Sequence, residues 1–125
     1  MGKIAVYEKS ITEIGKYALL ARDNELAIVL PFTDITSDLE ESIKEVFNFQ
    51  NFKLYGRREV TQLNLPTANL HFLSYFGRTT IDIAKQLPEL STYLIDTEAN
   101  QIPAFTHFNR ISKEQINQIA QRYIK

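Results

Sequence analysis

The chain has 125 residues, with 14 basic and 15 acidic side chains, 44% hydrophobic residues, two histidines and no cysteine. A chain of this length forms one domain, residues 1–125, and buries roughly two thirds of the surface its unfolded form exposes, so it needs no covalent or metal staple. The absence of cysteine excludes a disulfide scaffold, thiol catalysis and every cysteine-ligated metal site. Four glycines and four prolines in an ordinary apolar background argue against disorder.

The segment Lys3-Ile4-Ala5-Val6-Tyr7 reads as a first strand, too short and too soon closed by charge to be a signal-peptide core. No stretch approaches the roughly 18 apolar residues of a membrane helix, so the expectation is a cytoplasmic, bacterial-type domain with no membrane contact. Residues 16–21 and 26–30 flank Asp23-Asn24, whose side chains tolerate a tight turn, and read as a hairpin. The second arm is apolar at consecutive positions, the mark of a strand covered on both faces. A helix starts at Ser37-Asp38-Leu39-Glu40, where Ser37 and Glu40 form a capping box, and Leu39, Ile43, Val46 and Phe47 line one stripe.

Two strands follow, Phe52 to Val60 and Leu70 to Phe76, joined by a loop at residues 64–67. Thr79 and Asp82 are candidate caps of a short helix carrying Ile83, Ala84 and Leu87 and stopped by Pro88. Residues 93–95 and 102–108 read as a second hairpin around residues 97–100, with Pro103 marking an edge strand protected by dimerisation or by the proline itself. Ser112 with Gln115 makes a second capping box, before a helix with Ile116, Ile119, Ala120 and Tyr123 on one face. The elements predict an α+β fold, a mostly antiparallel sheet with two or three helices packed on it.

The net charge of -1 conceals segregation along the chain. Residues 33–52 sum to -4 and residues 53–78 to +3, while residues 79–105 and 106–125 sum to -3 and +3. On the first helix Asp38, Glu41 and Glu45 share one side with no internal cation to relieve them, and Asp34 stands just before it. These four residues are the candidate docking face for a basic partner. The arginines fall in an echoed triplet, Tyr55-Gly56-Arg57-Arg58 and Phe76-Gly77-Arg78, where Tyr55, Arg57, Arg58 and Arg78 offer a contact for phosphate or single-stranded nucleic acid. Neutral total charge argues against that use, since nucleic-acid domains carry a basic excess.

His71 and His107 titrate near neutral pH and, with Arg57 or Arg58, have the residue types of an acid-base hydrolase or nuclease site. No dinucleotide fingerprint, phosphate loop, nucleophile elbow or zinc motif is present, so no cofactor and no metal is expected. The sequence therefore favours a protein-binding domain that occludes a basic partner, in the manner of an immunity protein or antitoxin that inhibits a toxin domain. A small hydrolase using His71 and His107 and a single-stranded nucleic-acid binder are the alternatives.

Overall fold

A computed structural model describes residues 3–9, 11, 25–47, 52–95, 109–112, 114–116 and 118. Six short strands, β1 (Lys3–Tyr7), β2 (Glu25–Val29), β3 (Phe52–Tyr55), β4 (Leu70–Leu73), β5 (Thr92–Ile95) and β6 (Asn109–Ile111), form one sheet. Their order is β3-β2-β1-β4-β5-β6 and every pairing is parallel. Between them lie the helices α1 (Ser37–Phe47), α2 (Arg57–Thr61) and α3 (Arg78–Ala84), and a 3-10 turn at Glu89–Ser91. This is an open, doubly wound α/β sheet.

The expectation of a mostly antiparallel α+β sheet is overturned. β2 is hydrogen-bonded to β1 on one side and β3 on the other, both parallel, which leaves no edge for a hairpin partner. β5 is likewise enclosed by β4 and by β6. The other arms of both expected hairpins, residues 16–21 and 102–108 with Pro103, lie outside the described residues. Strand Phe52 to Val60 ends at Tyr55 because Gly56 turns the chain into α2.

Apolar runs in parallel strands follow from burial on both faces. Ile4 to Glu8 and Leu26 to Leu30 are buried at every position. On one face Ile4, Val6, Leu26, Ile28, Phe72, Ile95 and Ile111 pack against Ile43 of α1 and against Ile116. On the other Ala5, Tyr7, Ala27, Val29, Leu73 and Leu94 pack against Val60 of α2 and Ile83 and Ala84 of α3. Right-handed crossovers explain the division. The step from β2 to β3 runs one way across the sheet and those from β3 to β4 and from β4 to β5 the other, so α1 falls on one face and α2 and α3 on the opposite one.

Helix ends are set locally. α1 is capped by Thr36, whose Oγ1 accepts the Leu39 amide at 3.2 Å and whose carbonyl accepts Glu40 N, one residue before the expected Ser37. The Ser112–Gln115 box forms as expected, with Gln115 N donating to Ser112 Oγ at 3.0 Å and Ser112 N to Gln115 Oε1 at 2.8 Å. Ile116 behind it is buried, while Ile119, Ala120 and Tyr123 lie outside the described residues. Thr80, rather than Thr79 or Asp82, holds the start of α3, its Oγ1 accepting Phe76 N at 2.8 Å.

Candidate functional site

Doubly wound sheets bind ligands beyond the carboxyl ends of their strands, where connections from neighbouring strands diverge. Here strand order reverses between β1 and β4. Glu8 directly follows β1 and is only 6% exposed. Ser74, directly after β4, donates its hydroxyl to Glu8 Oε1, and its amide to the Tyr7 carbonyl, so the two strand ends are clasped at the reversal. Glu8 was not singled out from sequence; its signal is a lone acidic residue at the end of an otherwise apolar strand.

Beneath this clasp Tyr7 and His71 stack with ring centroids 5.9 Å apart, and Tyr7 Oη lies 3.0 Å from His71 Nδ1. Burial pushes the tyrosine pKa up, so the hydroxyl stays protonated and donates. Burial also pushes the His71 pKa below its ordinary value, opposed in part by a hydrogen bond with the Ala68 backbone. His71 is thus a neutral, hydrogen-bonded core residue, 2% exposed. It points to the face opposite Leu70 and Phe72, as strand alternation requires.

The aromatic-glycine-arginine echo has a common structural meaning. Gly56 and Gly77 are the N-cap residues of α2 and α3, so each triplet is a strand-to-helix turn at the carboxyl edge. A side chain at Gly56 would meet the Thr33 carbonyl at 2.7 Å, whereas Gly77 has φ +110° and ψ -158°, a region open essentially to glycine alone. Glu59 closes the first turn by accepting Gly56 N at 2.9 Å.

The candidate residues from sequence are sorted by this geometry. Asp34 and Arg57, assigned to different partners, instead bind each other: Arg57 Nη2 and Nε donate to the Asp34 carboxylate at 2.6 and 3.3 Å. Asp38, Glu41 and Glu45 are exposed on α1 and have no ion pair among the described residues, while Glu40 pairs with Lys44 at 3.7 Å. Tyr55 is half-buried with the Lys53 ammonium 5.4 Å above its ring, and Arg58 and Arg78 are exposed. His71 is enclosed at the sheet, whereas Arg57, Arg58 and Arg78 are exposed; His107 lies outside the described residues. Among the described residues no group of three His, Asp or Glu side chains is placed to hold a metal ion.

What the sequence did not disclose is a cleft of about 500 Å³ between α2 and α3. It begins beside the carboxyl end of β2 at Pro31 and Phe32, and its floor is Val60 and Ile83. Thr61, Thr79, Asp82, Lys85 and Gln86 supply polar groups around the rim. Phe32 is 51% exposed, its ring held edge-on to Phe76 at 5.8 Å. A second recess of about 290 Å³ adjoins it, lined by Leu65, Pro66, Thr67, Ala68, His71, Leu87 and Pro88. Leu63 and Gln86 belong to the walls of both.

Leu63 sits where a helix end ordinarily has glycine. Its amide donates to the Val60 carbonyl at 3.0 Å and the Asn64 amide to that of Glu59 at 2.8 Å, the pattern that closes a helix through a left-handed residue. At φ +53° the leucine costs on the order of 1 kcal/mol, yet its side chain remains 49% exposed and recovers little of that by burial. Backbone strain at an exposed apolar residue on a cavity wall is a feature that binding, rather than packing, would use.

No known protein family, curated protein or solved structure matches the chain. Fold and cleft therefore define it as far as a class, a doubly wound α/β domain with an apolar-floored cleft at the carboxyl side of its sheet. Among the described residues no helix is long and apolar enough to cross a membrane.

Proposed function

We propose that the chain is a small-molecule-binding α/β domain whose site is the cleft between α2 and α3. The observation that carries this reading is the cleft itself. Its volume of about 500 Å³ lies in the range of organic-ligand sites, and an apolar floor ringed by a few polar groups is their usual composition. Two of the large apolar side chains that the fold leaves half-exposed, Phe32 and Leu63, stand on its walls. A dinucleotide bound in the usual way is disfavoured, because β1 is followed by Glu8-Lys9-Ser10 instead of glycines, and the buried carboxyl of Glu8 occupies the strand end a pyrophosphate would approach.

The test is a titration of isotope-labelled protein with neutral aromatic and aliphatic fragments, read as amide shifts. Saturable shifts confined to Phe32, Leu63, Thr79 and Gln86, abolished by Thr61→Trp in the cleft wall, support the reading. Shifts that are absent, or scattered over the surface and indifferent to Thr61→Trp, refute it.

A second reading keeps the protein-binding role, occlusion of a basic toxin domain as by an immunity protein or antitoxin. It is favoured by the exposed, unrelieved carboxylates of Asp38, Glu41 and Glu45 on α1. Asp34 leaves that set because Arg57 neutralises it. The reading expects reversal of the three charges to lysine to abolish capture of a basic partner, and association that survives the reversal would end it.

A further inference from the structure

A third hollow lies on the same face of the sheet at its opposite, amino edge, and none of its wall residues belongs to the cleft. Strand register lays three rows of side chains across β1, β2 and β3 there. Lys3 stands beside Glu25, Ala5 beside Ala27 and Lys53, and Tyr7 beside Val29 and Tyr55. Ala27 in the middle row is too small to fill the space between the Lys3–Glu25 row and Tyr55. The result is a recess of about 270 Å³, bordered by residues 64–67 of the connection from α2 to β4. That connection is tied to the start of β1, since Lys3 N donates to Asn69 Oδ1 at 2.7 Å and Asn69 N donates to the Lys3 carbonyl at 2.9 Å. The wall is thus held in place by the fold itself, which spares a guest the cost of ordering it.

The charges of the recess do not cancel. Lys3 and Glu25 face each other across the strands at 3.4 Å and neutralise one another. Lys53 has no ion pair among the described residues, and its ammonium is held 5.4 Å above the Tyr55 ring. Asn64 and Thr67, exposed on the wall, supply hydrogen-bonding groups. One uncompensated cation among such groups selects an anion, and the Glu25 carboxylate opposes a second negative charge on it. The volume falls just below the roughly 300–1,000 Å³ usual for drug-sized ligands, so the guest is small.

We propose that this recess binds a small organic monoanion of the hydroxycarboxylate class, with its carboxylate on Lys53 and its hydroxyl on Asn64 or Thr67. The site is separate from the cleft and does not rest on the reading of it. The experiment titrates the isotope-labelled whole chain with lactate, sulfate and glycerol at low ionic strength and follows amide shifts. Lactate should give saturable shifts at Ala27, Lys53, Tyr55 and Thr67 that weaken as sodium chloride is raised. Glycerol, of similar size without the charge, and sulfate, with a second charge, should give none. Lys53→Gln should weaken lactate binding by roughly tenfold or more, and Lys53→Arg should keep most of it. Glu25→Gln, which removes the opposing charge and releases Lys3, should tighten lactate binding and admit sulfate. All three substitutions fall at exposed or half-exposed positions and should leave the unfolding midpoint close to that of the parent protein.

Lactate shifts that are absent, that glycerol reproduces or that survive Lys53→Gln overturn the proposal. Sulfate binding to the parent protein as tightly as lactate, or gaining nothing from Glu25→Gln, overturns the selection for a single charge. Fragment binding in the cleft is decided by other residues, so either site can fail its test without the other.

Discussion

Removing one oxygen atom, by Tyr7→Phe, tests the account of the buried tyrosine-histidine pair. The ring stays, so its packing between Ala5, Val29 and Leu73 is preserved and the change is confined to the hydroxyl. That hydroxyl donates to His71 Nδ1 at 3.0 Å, where both residues are inaccessible to water. The loss has two parts, about 1 kcal/mol for the bond and a further cost for an acceptor stranded in the core, for a total of about 2 kcal/mol. In a chain of this size the melting temperature should fall by roughly 8 °C. His71→Leu in the same background closes a double-mutant cycle by removing the stranded acceptor, and the coupling energy should be about 1–2 kcal/mol. Burial also gives the pair a pH signature. The native imidazole has a pKa below its ordinary 6.5, so below that value the unfolded chain holds a proton that the native chain does not. Its contribution is fully present above about pH 6.5 and is lost as pH falls towards the native pKa, at up to about 1.4 kcal/mol per pH unit. Urea unfolding of wild type and His71→Leu between pH 7.5 and 5 isolates this slope, since carboxylates elsewhere titrate alike in both. A flat difference between the two proteins, or a coupling energy of zero, refutes the reasoning.

Three further outcomes follow from the same structure. Gly56→Ala and Gly77→Ala should each cost about 1–3 kcal/mol, the first by collision with Thr33 and Ile35 and the second by backbone conformation. Ile35→Ala should therefore recover at most part of the first loss in urea titrations, because the Thr33 carbonyl remains in the way, and nothing of the second; equal rescue of both would show the distinction to be false. Ile43→Ala, which empties a fully buried position where α1 meets the sheet, should cost about 2–5 kcal/mol, and a loss below 1 would mean that α1 is not packed there. Asp34→Ala breaks an ion pair whose two side chains are more than half exposed, so chemical unfolding should register no more than about 1 kcal/mol. A larger loss would assign the pair a role that its exposure does not explain.

The features legible in the sequence are those decided within one turn of chain. The Ser112–Gln115 box is an example, because a hydroxyl and an amide three residues apart can satisfy each other's backbone whatever the rest of the fold does. Strand pairing is decided by distant partners. Asp23-Asn24 is competent for a tight turn, and turn competence alone led to an antiparallel reading. The opposing signal was present in Ile4 to Tyr7 and Leu26 to Leu30, since strands apolar at every position need cover on both faces, which antiparallel sheets with one wet face do not give. The alternation of strands with short helical segments agreed with it. The glycine-arginine triplets stand at strand ends, Gly56 cutting short the expected strand Phe52 to Val60, and their meaning depends on topology, for in a parallel sheet every strand ends at the same edge. The cleft shows the consequence most plainly. Phe32, Leu63, Thr79 and Gln86 belong to the connections that leave β2, β3 and β4, and no local pattern relates them. They meet because the strands before them run the same way and the connections from β3 and β4 lie on one face, so misreading strand direction concealed the site along with the fold.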